Sequence, residues 1–277
     1  MPAPEPVPGP RPDAAARADL ALLVEAARAA GEIAMGHWRQ APKVWDKDGD
    51  EGPVTEADYA VDAALRRALQ EARPDYGWMS EETPDTPEDR ARRTLFIVDP
   101  IDGTRAFVKG EEAWAHALAV VTDGVPVAAV VYLPAKGRLY AASAGAGASR
   151  NGAPIAAAAP PALDGAQMLV TKPNLAPHLW RRGVPGWTRH FRPSLAYRLA
   201  LVAEGRFDGM LTLRDSWDWD VAAGALIAAE AGARVTDRTG APLRFNAARR
   251  KTSGLLAAPE PLHGETLDRL APGAWLD

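Results

Sequence analysis

Two carboxylates and a hydroxyl crowd into six residues, Asp99-Pro100-Ile101-Asp102-Gly103-Thr104, directly after the apolar run Leu95-Phe96-Ile97-Val98. The run predicts a strand, and the carboxyl end of a strand in an α/β sheet is where ligands collect. Pro100 stiffens the turn, Gly103 lets a phosphate approach backbone N–H groups, and Thr104 adds a hydroxyl beside them. A plain turn also uses Asp, Pro and Gly, so the chemistry depends on whether other acids join. The candidates are Glu81-Glu82 after the strand-like run 76–79, Asp50 ahead of Pro53-Val54-Thr55, and Trp219-Asp220 opening an Ala-rich helix. Taken singly, a Glu pair suits a solvated surface and Asp220 suits a helix cap. Gathered in one place, such carboxylates repel unless divalent cations neutralise them, and a set of hard oxygen donors selects Mg²⁺, Mn²⁺ or Ca²⁺.

The elements that position these residues are legible from periodicity. Apolar residues Leu20, Leu23, Val24, Ala27, Ile33 and Met35 recur at helical spacing behind Asp13, a fitting N-cap. Thr55 opens a second helix to about residue 72, with Asp58 three residues on as a variant capping box. Strand-like runs follow at 76–79, 94–98, 115–121, 125–133 and 138–142, the third and fourth joined by Thr122-Asp123-Gly124. After a Gly- and Ala-rich connection, strand-like runs at 167–171, 208–213 and 253–258 alternate with helical runs at 194–204, 218–231 and 261–270. The reading is an α+β half over 13–155 with most of the acidic candidates, an α/β half over 156–277 with Asp220, and a Pro-rich tail over 1–12.

Composition narrows the partners. The formal charge of -4 lacks the basic excess of a nucleic-acid binder. No stretch of about 18 apolar residues or signal-like start occurs, which predicts a cytoplasmic protein off the membrane. The absence of cysteine removes disulfides and thiolate metal ligands. The five histidines have no metal spacing and receive no role.

The ordered set Pro53-Val54-Thr55-Glu56-Ala57-Asp58, Ser80-Glu81-Glu82, Asp99 to Thr104, and Trp219-Asp220-Val221-Ala222-Ala223-Gly224 resembles the inositol monophosphatase family. The resemblance runs from residue 13 to the C-terminus and includes Asn151-Gly152 and Val202-Ala203-Glu204-Gly205-Arg206. It implies a layered α/β/α/β/α sandwich, a Mg²⁺-dependent and lithium-sensitive phosphatase with two or three ions per site, and a homodimer. By resemblance, Glu81, Asp99 and the Ile101 carbonyl would hold one ion, and Asp99, Asp102 and Asp220 a second. Asp102, Gly103 and Thr104 would meet the phosphate, while Thr104, partnered by Asp50 and helped by Glu81, would activate the attacking water. Glu51 competes with Asp50 for that partnership, and Lys47 is a candidate phosphate contact.

The substrate pattern departs from the inositol-specific one. A glutamate expected seven residues before Asp220 is Leu213, and the segment before the Val-Ala helix end reads Arg192-Pro193-Ser194-Leu195-Ala196-Tyr197-Arg198. Losing an acceptor for ring hydroxyls weakens polyol recognition. Arg198 falls where bacterial 3'(2'),5'-bisphosphate nucleotidases carry a lysine, so Ser194, Arg198 and Leu213 are expected to set substrate choice. The sequence reading therefore leans to a bisphosphate nucleotide, a small phosphorylated metabolite rather than a nucleic-acid polymer. Inositol 1-phosphate and histidinol phosphate are its enzymatic alternatives, and a catalytically silent binding protein is the alternative of another class.

Overall fold

A computed structural model describes residues 13–47, 52–159 and 163–275. The expected tail at 1–12 lies outside them. The chain opens with helix α1 (Ala14–His37), the strands β1 (Val44–Asp46) and β2 (Pro53–Thr55), and helix α2 (Glu56–Ala72). Next come β3 (Gly77–Ser80), α3 (Pro87–Ala91), β4 (Thr94–Asp102), α4 (Thr104–Val108), β5 (Ala115–Thr122), β6 (Val125–Leu133), β7 (Arg138–Ser143), β8 (Ala148–Arg150) and β9 (Ala153–Ile155). The remainder is β10 (Gln167–Val170), β11 (Thr188–His190), α5 (Leu195–Ala203), β12 (Gly209–Thr212), β13 (Ser216–Trp217), α6 (Asp218–Glu230), β14 (Arg234–Thr236), β15 (Lys251–Thr252), β16 (Leu255–Ala258) and α7 (Leu262–Arg269).

Strands β3 to β9 form one sheet in chain order, antiparallel except for the parallel pair β3 and β4. A second sheet runs β11-β10-β12-β16-β14. Alternation along the strands gives each sheet two apolar faces. One face of the large sheet, with Trp78, Phe96, Leu118 and Val130, packs on Leu23, Ala27, Val61 and Leu65 of α1 and α2. Its other face, with Met79, Ile97, Ala119 and Val131, packs on α5 and α6, which also cover Leu169, Met210 and Ala257 of the second sheet. The far face of that sheet meets Leu179, Trp180 and Leu262. The order is α/β/α/β/α, as the resemblance implies.

The middle layer explains why α6 is apolar on every side. It is enclosed by two sheets and by α5, and Val221 to Ala228 is buried throughout. Gly224 is required there, because a Cβ on it would lie 2.6 Å from Leu199 Cβ. Gly224→Ala should therefore cost about 1–3 kcal/mol through overpacking. At roughly 2–4 °C per kcal/mol for a chain of this size, a thermal melt will register the loss, and an unchanged melt would refute the close contact.

Candidate active site

The end of β4, the start of α4 and the first turn of α6 converge on one cavity of about 750 Å³. Asp99 and Asp102 sit at the end of β4 and Asp220 in the opening turn of α6, with carboxylate oxygens of all three within 4.8 Å of one another. Gly103, at φ 99°, makes the break between strand and helix, a left-handed conformation that favours glycine. Asp102 Oδ2 accepts from Ser194 Oγ at 2.7 Å and from the Ala196 N–H at 2.7 Å, so the start of α5 fixes its orientation. Asp99 is buried, and its Oδ1 has no hydrogen-bond partner among the described residues.

Burial raises the pKa of Asp99 well above the usual carboxylate range, and the charges of Glu81, Asp102 and Asp220 raise it further. Asp220 is raised for the same reasons, with Asp102 and Glu81 as its neighbours. Burial also lifts Asp102, to about 6, against the hydrogen bonds from Ser194 and Ala196 that hold it down. A buried set of like charges with an orphaned carboxylate oxygen is the donor chemistry of a hard divalent cation, so the residues present fit one.

Glu81 lines the same cavity. Lys47 Nζ lies 2.7 Å from Glu81 Oε1 and 2.7 Å from Glu82 Oε1, so it is committed to two carboxylates rather than to a phosphate position. Burial alone would lower the lysine's pKa, and the two glutamates reverse that and hold it above its ordinary value.

The structure gives Thr104 a partner that the sequence does not single out. Asp50 and Glu51 lie outside the described residues, and the Thr104 hydroxyl faces Asp58 Oδ1 at 3.2 Å and the Ile101 carbonyl at 3.0 Å. Asp58 performs two tasks with two oxygens. Its Oδ2 accepts from the Thr55 N–H at 2.8 Å and from Thr55 Oγ1, which caps α2, while Oδ1 reaches across to Thr104. The capping pattern in the sequence accounts fully for an Asp at 58, which is why its second role is not visible there. Burial raises Asp58 to about 6, against the Thr55 hydrogen bonds.

The three residues expected to contact substrate are also placed differently. Ser194 is fully buried and caps α5 by accepting from the Tyr197 N–H at 3.0 Å while donating to Asp102, so its hydroxyl is spent on positioning. Leu213 belongs to the outer apolar layer and does not line the cavity, and its N–H goes to Asn174. Arg198 is buried, donates from Nε to the Arg192 carbonyl at 2.5 Å, and places its guanidinium 4.6 Å from the centre of the Phe191 ring. Burial lowers its pKa to about 10, opposed by Asp102 and Asp220. The cavity wall instead presents Arg105, Lys109, Arg192 and the exposed ring of Phe191. Arg105 directly follows the acidic turn, and that adjacency is the signal that marks it in the sequence.

The sequence model of the inositol monophosphatase family matches residues 16–273. Histidinol-phosphatase from Chlorobaculum parvum is 37% identical over 138 residues, a match spanning 50% of this chain and about half of that protein, 52%. Histidinol-phosphatase from Mycobacterium tuberculosis is 33% identical, with 92% of this chain and 98% of the relative covered. Among solved structures, the extragenic suppressor protein suhB from Bartonella henselae superposes with a TM-score of 0.81 at 27% identity, covering 92% of this chain and 99% of that one. Among the described residues no helix is long and apolar enough to cross a membrane.

Proposed function

The chain belongs to the inositol monophosphatase family of phosphomonoester hydrolases, and we propose that it is a Mg²⁺-dependent phosphatase that removes one phosphate from a 3'(2'),5'-bisphosphate nucleotide. The observation that carries the substrate is the charge of the cavity wall. Beyond the acidic cluster, the described residues of the wall hold three cations, Arg105, Lys109 and Arg192, and one further acid, Glu111. That excess favours a leaving group with a second anionic group. Phe191, backed on one side by Arg198, offers its ring to a planar base. Histidinol phosphate is the second reading, motivated by the Mycobacterium tuberculosis relative. Its imidazole also suits Phe191, but its ammonium opposes the three cations. Inositol 1-phosphate gains from neither feature.

In this reading Glu81, Asp99 and the Ile101 carbonyl would hold one Mg²⁺, and Asp99, Asp102 and Asp220 a second. Bound ions supply charge neutralisation and acidify a water. Thr104 directs its proton to Asp58 and so presents lone pairs to that water. Asp58 is the acceptor for the proton relayed through Thr104, with Glu81 assisting. Gly103 and Thr104 hold the phosphate oxygens through their N–H groups. Water oxygen then bonds to phosphorus as the ester P–O bond breaks, the departing alkoxide takes a proton from solvent and leaves as an alcohol, and Asp58 returns its proton to solvent. The same reading makes the protein a cytoplasmic homodimer, which sedimentation velocity tests.

The substrate is tested by comparing kcat/KM for adenosine 3',5'-bisphosphate, histidinol phosphate and inositol 1-phosphate in Mg²⁺. The bisphosphate should lead by about tenfold or more, the scale of one charge-assisted hydrogen bond. Arg192→Ala should raise KM for it by a similar factor and leave a simple aryl phosphate nearly unaffected. Equal efficiencies on all three substrates would overturn the assignment.

A further inference from the structure

Strands β4 and β5 pair without interruption from Thr94 opposite Thr122 to Asp99 opposite Ala117, and then the register shifts so that Asp102 faces Ala115. Two residues, Pro100 and Ile101, consequently oppose the single residue His116. Pro100 brings no N–H, so the ladder loses a donor where the turn most needs rigidity. His116 is fully buried, and its Nδ1 is hydrogen-bonded to the Pro100 carbonyl. A carbonyl only accepts, so Nδ1 carries the proton. Burial lowers the pKa to about 4, which keeps the ring neutral, and Nε2 has no partner among the described residues. Trp114, edge-on at 5.6 Å, and Tyr132, at 6.2 Å, pack against the ring.

We propose that His116 is a positioning residue of the metal centre, whose imidazole N–H ties the Pro100 carbonyl to β5 and locks the bulge that presents Asp99, Ile101 and Asp102 together. It touches neither substrate nor metal. An apolar side chain of similar size would fill the space and leave the Pro100 carbonyl without its donor. The turn would then sample other arrangements, and the acidic cluster would bind Mg²⁺ less tightly. This inference rests on the metal-centre reading above.

The test is a Mg²⁺ titration followed by thermal shift, on the full chain, for the wild type, His116→Leu and His116→Asn. His116→Leu should need about tenfold more Mg²⁺ for the same rise in melting temperature, the lower end of what losing an outer-shell partner costs. The His116→Asn amide places a donor near the Nδ1 position and should restore most of the affinity. A packing role alone would lower the metal-free melting temperature and leave the Mg²⁺ needed for a given rise unmoved. An unchanged Mg²⁺ requirement in His116→Leu, or His116→Asn no better than His116→Leu, overturns the proposal. Should His116→Leu not fold, His116→Gln, whose donor sits one bond further out, takes its place with the same expected displacement. A wild type that does not respond to Mg²⁺ overturns the metal centre and this proposal together, whereas a responding wild type with an unchanged variant overturns this proposal alone.

Discussion

Asp99→Asn should lower kcat by about 10³-fold or more, the upper end of what losing one preorganised electrostatic contact costs, and should also make the metal-free protein more stable than the wild type. Both effects have one cause. Asp99 is buried, has an unpartnered oxygen, and faces the carboxylates of Glu81, Asp102 and Asp220. Its folded pKa lies well above the ordinary 3.8, so the cost of its charge sets in as the pH rises through about 3.8 and grows until the pH passes the folded value. An amide of the same shape removes that charge. It equally removes a ligand that both proposed ions share. The wild type should gain about 2.7 kcal/mol at Mg²⁺ a hundredfold above its Kd. For this size of chain that is roughly 5–10 °C in Tm. Asp99→Asn should start higher in EDTA and gain much less from Mg²⁺. Melting both proteins with and without Mg²⁺ checks this, and a destabilised metal-free variant would count against a cluster of mutually repelling carboxylates.

Asp58→Asn carries the second large effect, a loss of about 10²–10⁴-fold in kcat, the range for removing a general base. Thr104 Oγ1 has one proton and two facing acceptors, Asp58 and the Ile101 carbonyl. Only Asp58 can keep a proton passed to it. The carboxylate must be ionised to do so, and its pKa is raised to about 6. The wild-type rate should therefore fall as the pH drops through about 6, and Asp58→Asn should be slow throughout and lack that limb. Because Asp58 Oδ2 also caps α2, a melt must accompany the kinetics. Thr104→Ala separates the two roles, since it leaves the cap intact and should show a similar loss of rate. Full activity in Thr104→Ala would remove the proton relay.

The acidic turn was legible because Asp, Pro, Gly and Thr after an apolar run have a local reason to occur together. The elements were legible because each strand and helix carries its own period, whereas their stacking into layers followed only from the family resemblance. What was hidden depends on distance. Asp58 reads as a cap in its own helix, and nothing local reveals that its second oxygen meets Thr104, 46 residues away in the chain. Ser194, Arg198 and Leu213 were assigned to substrate by their place in a family pattern. The fold turns Ser194 to Asp102, Arg198 beneath Phe191, and Leu213 into the outer core. His116 shows no metal spacing, and its tie to Pro100 exists only because the register of β4 and β5 slips at that point.

The central claim is that Asp99, Asp102 and Asp220 gather the divalent cations on which phosphate release depends. Release of inorganic phosphate from adenosine 3',5'-bisphosphate, histidinol phosphate, inositol 1-phosphate and an aryl phosphate, followed in Mg²⁺, then in excess EDTA, then after Mg²⁺ is restored, tests it most directly. Hydrolysis of at least one ester that stops in EDTA and returns with Mg²⁺ is the expected result. Hydrolysis that continues unchanged in EDTA, or none of the four esters cleaved in millimolar Mg²⁺, would contradict the claim.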